Sequence, residues 1–190
     1  MRPALKMALL FSGAWILLKL ILLSLDIFQE DVVKPGLVNN LFLLLAISVG
    51  LYLEKQKEGF GTGTPLSDIK RALTAGAPYV LIVSVFMFFY YDTINPDFID
   101  NRVTERMDVI YDEAQDEAYV DTLRVHNPEF RVMTTEEILR DIKSDTESAL
   151  SAKTLFVFSL LGLMVMALTY AIFVTLIYRK ILLRDYYPKR

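Results

Sequence analysis

Lys19 interrupts "AWILLKLILLSL", an ammonium group inside a run that is otherwise apolar. An ionisable group in hydrocarbon is costly, so it marks either a functional pathway or a side chain that snorkels to a nearby headgroup. Asn39 and Asn40 open the next apolar run. Their carboxamides can bond to a neighbouring helix or meet a ligand, and the interhelical role needs fewer assumptions. The third set lies in "YYDTINPDF", where Asp92, Asn95 and Asp97 follow an apolar run. A binding role for Asp92 or Asp97 is one reading. The other is chain punctuation. Asn95 is suited to N-cap a helix, Pro96 to open it, and Asp97 to sit at the positive end of its dipole.

Other chemistries are poorly served. The chain has no cysteine and one histidine, His126. Disulfides, thiolate nucleophiles and histidine metal clusters are therefore excluded. The acidic run "DEAQDE" at 112–117 lacks the glycine turn and spacing of a calcium loop and reads as a solvated helix face. Gly59, Gly61 and Gly63 form a flexible loop before a helix, but without the spacing or lysine of a phosphate-binding loop. Neither HExxH nor GxSxG occurs. The sequence predicts no catalytic residues, no cofactor and no metal, and hence no enzyme.

The elements that must carry these residues are long apolar blocks. Of the 190 residues, 54% are hydrophobic, and the mean hydropathy is +0.37. Four blocks, roughly 8–25, 37–53, 73–91 and 154–178, match the about 20 helical residues that cross a bilayer core. The first resembles a signal peptide, with Arg2 and Lys6 ahead of it, but it lacks a small-x-small cleavage site and reads as a retained span. The fold class expected is all-α and integral to the membrane, with four transmembrane helices.

Charge sets the expected orientation, because Lys and Arg are held on the cytoplasmic side. Arg2 and Lys6 precede the first span; Lys55, Lys57, Lys70 and Arg71 lie between the second and third; Arg179, Lys180, Arg184, Lys189 and Arg190 follow the fourth. The first outer loop carries Asp26, Glu30, Asp31 and Lys34. The connection 92–153 holds 16 acidic and 7 basic residues. Four spans put the basic surfaces on one side, with both termini cytoplasmic and the acidic segment outside. The expected organisation is 1–91, three spans with short loops; 92–153, an extracytoplasmic acidic helical hairpin; and 154–190, the fourth span with a basic cytoplasmic tail.

Within the acidic segment, 97–124 reads as one amphipathic helix with Ile99, Val103, Ile110, Ala114 and Ala118 on one face. "TTEE" at 134–137 is a capping box with Thr134 as cap, and Ile138, Leu139 and Ile142 give the next helix its apolar side. No proline or glycine occurs between Arg131 and Leu161, so that helix is free to run into the fourth span. Tyr90 and Tyr91 suit an interfacial position with wet hydroxyls. Thr64 and Pro65 cap and open the third span, and Pro78 is placed to kink it. Ala46 with Gly50, and Ala167 with Ala171, are small residues four apart that let helices approach closely.

"TPLSDIKRALTAG", "FYYDTINPDFID" and "MTTEEILRDI", set among four spans, resemble a bacterial family of four-helix membrane proteins of unknown function, the DUF4199 type. The resemblance implies the topology above and a bacterial cytoplasmic (inner) membrane location. It assigns no reaction and carries over no functional residue. The function expected is that of an accessory or scaffold subunit of a membrane assembly, with the lipid bilayer and a membrane-protein partner or further copies as contacts. The alternative is a homo-oligomeric transporter or channel component. The net charge of −3 and the acidic segment argue against nucleic acid.

Overall fold

The computed structural model describes residues 2–27 and 33–186, and among them every regular element is helical. Glu30, Asp31, Lys189 and Arg190 lie outside the described residues. Four helices are long and apolar enough to cross a membrane: Pro3–Ser24, Val33–Glu58, Pro65–Ile94 and Ala152–Leu182. We call their α-helical parts α1 (Pro3–Ser24), α2 (Val33–Glu58), α3 (Pro65–Phe89) and α7 (Ala152–Ile177). Between the last two come α4 (Asp97–Glu113), α5 (Glu117–His126) and α6 (Thr135–Leu150). The chain divides into two compact units, 1–86 with 157–190, and 87–156.

The first unit is built on small residues. Gly50 leaves no room for a side chain: a Cβ there would stand 2.8 Å from that of Ala75 and 3.3 Å from the Ala4 backbone. A Cβ on Gly76 would meet Ile47 at 3.1 Å and Ala167 at 3.3 Å. Ala46, Ala167 and Ala171 are fully buried. The small residues are therefore used inside the bundle, where close backbone approach replaces the hydrophobic drive that lipid cannot supply. Trp15 is buried edge-on to Phe86, at 5.8 Å between ring centres. Pro78 does not break α3.

Both long spans end in a wider turn. After Phe89 the chain makes a π turn over Tyr90–Ile94, closed by the Asn95 N–H donating to the Tyr90 carbonyl at 2.7 Å. After Ile177 the same happens over Tyr178–Leu182, where the Leu183 N–H reaches the Tyr178 carbonyl at 2.7 Å. The extra residue per turn carries the third span to Ile94, three residues past Tyr91.

In the second unit α4 packs on α6 through Val103, Met107 and Ile110, met by Leu139, Ile142 and Leu150. A second cluster joins Val120, Phe130 and Ile138. The expected single helix over 97–124 is in fact two. Asp116 takes an extended backbone and its carboxylate accepts from the Ala118 N–H at 3.0 Å, which starts α5. The stripe is broken at that point, so Ala118 faces solvent and Val120 takes the buried place. Nor does α6 run into the fourth span. Ser151 is extended, its hydroxyl accepts from the Thr154 N–H at 3.3 Å, and α7 starts afresh. A serine cap does here what proline or glycine would do elsewhere. The capping box at Thr134 forms, with both reciprocal bonds present.

Candidate functional site

Charged residues from the end of α2 and the start of α3 gather with one from the turn after α7 in a cluster at one end of the first unit. Local chemistry starts it. Thr64 accepts from the Ser67 N–H at 3.2 Å, Pro65 opens α3, and Asp68 falls in the first turn, where the helix dipole favours a carboxylate. Gly59 and Gly63 have φ of +101° and +82°, a left-handed backbone suited to glycine. These two turns fold the loop back over the end of α2.

Asp68 is the centre. It is 1% exposed, and so is its partner Lys55, whose Nζ lies 2.5 Å from one carboxylate oxygen. Arg71 reaches that same oxygen at 3.2 Å and also pairs with Glu58. Arg179, from the π turn after α7, donates to the other oxygen at 2.5 Å and to the Gly63 carbonyl at 3.2 and 3.3 Å. Lys55 also donates to the Thr62 carbonyl at 2.5 Å. On α2, Glu54, the residue before Lys55, accepts from the Ala4 N–H at 3.2 Å, supplying an acceptor that the first turn of α1 lacks. The cluster thus joins the end of α2, the start of α3 and the turn after α7, and the separate Glu54 bond ties α1 to α2. A buried carboxylate with a cation on each oxygen is compensated charge, and its chemistry is anchoring.

An aromatic group lies at the same end. Tyr52 stands 5.7 Å from Phe60 and 6.4 Å from Tyr178, and Phe60 stands 5.3 Å from Tyr186, between ring centres. The Tyr178 hydroxyl donates to the Ser48 carbonyl at 2.8 Å.

The residues singled out from sequence are scattered. Lys19 is buried on α1. Asn39 is buried too, and its Oδ1 accepts from the Tyr79 hydroxyl at 2.7 Å, the interhelical bond expected of it. The Oδ1 of Asn40 finds no partner among the described residues. Asp92 is exposed and accepts from its neighbour Thr93, at 3.2 Å. Asn95 does not cap α4. The π turn draws its backbone to Tyr90, its amide donates to the Tyr90 hydroxyl at 3.4 Å, and Pro96 stands at the cap position instead. Asp97 is exposed in the first turn of α4, as a dipole-favoured acid should be. Tyr90 and Tyr91 are buried rather than wet, 2% and 5% exposed, packed edge-on to each other at 5.1 Å. The His126 ring bonds to the Thr122 carbonyl of its own helix at 2.8 Å.

Lys55 and Arg179, which the sequence offers as markers of orientation, act together with Asp68. The available signal was Asp68 itself, an acid in the first turn of a helix whose following turns are apolar. Comparison with family models, curated proteins and solved structures finds no match to this chain.

Proposed function

We propose that this chain is an accessory or scaffold subunit of a membrane assembly, without catalysis of its own. The observation that supports it is the cluster around Asp68. Asp68, Lys55, Glu58, Arg71 and Arg179 are spent on one another, which suits a bundle built to hold its shape. We read the chain as a DUF4199-type protein of a bacterial inner membrane, with both termini cytoplasmic. The 92–153 segment then stands outside as a helical hairpin and offers its acidic surface to a partner. The test is extraction from native membranes in a mild detergent through a C-terminal tag, followed by mass spectrometry and native mass. A second protein in constant ratio supports the subunit role; a particle holding this chain alone overturns it. Orientation is tested separately. The chain has no cysteine, so single cysteines at the exposed positions Thr62 and Gln115 report their side directly. An impermeant maleimide should label position 115 in intact cells and position 62 only after lysis.

One observation favours the second reading, a homo-oligomeric transporter or channel component. Lys19 is 8% exposed within a span, the position at which an ammonium most often serves a pathway. Loss of a flux on Lys19→Met, with the assembly intact, would favour it.

A further inference from the structure

We propose that the cleft between the first turn of α1 and the last turns of α2 binds the phosphate headgroup of an anionic phospholipid. The cleft holds about 400 Å³ and is lined by Pro3, Lys6, Met7, Leu53, Gln56 and Lys57. The inference rests on reading the chain as a membrane protein and is independent of the accessory role.

Three observations carry it. First, the order of chemistry along the cleft is that of an amphiphile. Lys57 is one residue from the end of α2 and Lys6 three from the start of α1. At about 1.5 Å per residue, the backbones of both lysines lie within roughly 5 Å of the span ends along the helix axis. Leu53, one turn further in on α2, and Met7, one residue further in than Lys6 on α1, line its inner part, while Pro3 lies at the outer edge. Phosphate fits the outer part and acyl chain the inner.

Second, the acids that would otherwise neutralise these lysines are already engaged. Glu54 accepts from the Ala4 N–H, and Glu58 pairs with Arg71. Lys6 and Lys57 are exposed and make no ion pair among the described residues. Two uncompensated cations facing one cleft attract an anion, and basic pockets between spans are a recurrent form of lipid headgroup site.

Third, the depth is right. Tyr52, the residue before Leu53, belongs to the aromatic group with Phe60, Tyr178 and Tyr186. Aromatic rings gather at span ends where headgroups lie.

The test is native mass spectrometry of the full-length protein in detergent, titrated with phosphatidylglycerol and, in parallel, with phosphatidylcholine. The wild type should hold phosphatidylglycerol in preference. Lys6→Gln and Lys57→Gln should each weaken it about fivefold, and the double variant about 25-fold, the factor expected for one lysine beside an anionic lipid taken once and twice. Lys70→Gln removes an exposed lysine outside the cleft and should leave binding unchanged. Equal binding of the two lipids would overturn the proposal, as would a double variant that binds like wild type. A Lys70→Gln loss equal to that of Lys57→Gln would replace the site with diffuse attraction. Release of the lipid by inorganic phosphate would assign the site to free phosphate and overturn the lipid assignment. Both lysines are exposed and glutamine keeps most of the stem, so the variants should fold. An unchanged thermal transition in the same detergent confirms it, and the single variants stand if the double one is lost.

Discussion

Asp68–Arg71 at the start of α3 and Asp121–Arg124 in α5 are the same local device. Each is an aspartate three residues ahead of an arginine on a helix, and they close at 3.2 and 3.3 Å. Their surroundings differ. Asp68 is 1% exposed and Asp121 is 72% exposed. The first carboxylate also holds Lys55 and Arg179, from two other elements, whereas the second stays within its own helix. An exposed pair gains little, because water and salt screen it and two side chains must be ordered. A buried carboxylate that compensates several cations cannot be removed without leaving charge uncovered. The same residue pattern thus makes a structural anchor at the start of α3 and a solvated surface pair in α5.

The difference can be broken by one pair of variants. Asp68→Asn should destabilise the protein by about 3–5 kcal/mol, the cost of uncovering buried cations. Asp121→Asn should stay within about 1 kcal/mol. Unfolding in mixed detergent, followed by circular dichroism, reads both. Equal costs would mean that the cluster at Asp68 anchors nothing.

That contrast marks the limit of what the sequence makes legible. Length and apolarity place the four spans, because a bilayer imposes both on a helix. Thr64 with Pro65, and Thr134 with Glu137, are legible because a cap is decided within four residues. The cluster is not, because Arg179 lies 111 positions from Asp68. Nothing local in "IYRKIL" announces that its arginine turns toward the start of α3. Two punctuation errors are also physical. The π turn at Tyr90–Ile94 keeps Asn95 as the last acceptor-bound residue of the span, so its side chain is not left to cap α4. Ser151 ends α6 with a hydroxyl, a weaker signal than the proline or glycine that a helix break leads one to seek.

Two glycines sharpen the comparison without charge. Gly50 and Gly162 both lie within spans, yet a Cβ at Gly50 meets Ala75 at 2.8 Å and one at Gly162 meets nothing within 4 Å. Gly50→Ala should cost about 1–3 kcal/mol through overpacking. Gly162→Ala should gain about 0.5–1 kcal/mol from the restrained backbone. The same unfolding measurement decides, and a neutral Gly50→Ala would mean that α1, α2 and α3 do not meet as closely as described. A smaller effect separates a buried neutral bond from the buried ionic ones. Tyr79→Phe removes the donor to Asn39 and should cost about 0.6–1.7 kcal/mol, the range of single interhelical hydrogen bonds in bilayers. A loss as large as that of Asp68→Asn would show that polarity inside the span, rather than charge at its end, governs the bundle.

The smallest effect lies at the exposed extreme, in the capping box of α6. The Thr134 backbone N–H donates to the Glu137 carboxylate at 2.8 Å and its hydroxyl at 3.1 Å. Those two bonds hold the Glu137 carboxyl below its ordinary range. A carboxyl lowered in the folded state adds stability above its unfolded value of about 4.3, and that addition disappears as the pH falls through the lowered value. Protection of the first α6 amides from hydrogen exchange, corrected for the intrinsic rate, should therefore hold from neutrality to about pH 5 and decline in more acid solution. Glu137→Gln keeps an acceptor without a charge and should flatten that decline. Thr134→Ala removes the cap outright and should cost about 1 kcal/mol near neutrality, and less in acid, where its hydroxyl bond to the Glu137 carboxylate is already lost. The buried cluster provides the control within the same molecule. If the amides of α2 beside Lys55 lost protection in step with those of α6, the acid response would belong to the whole fold and not to an exposed carboxylate at one helix end.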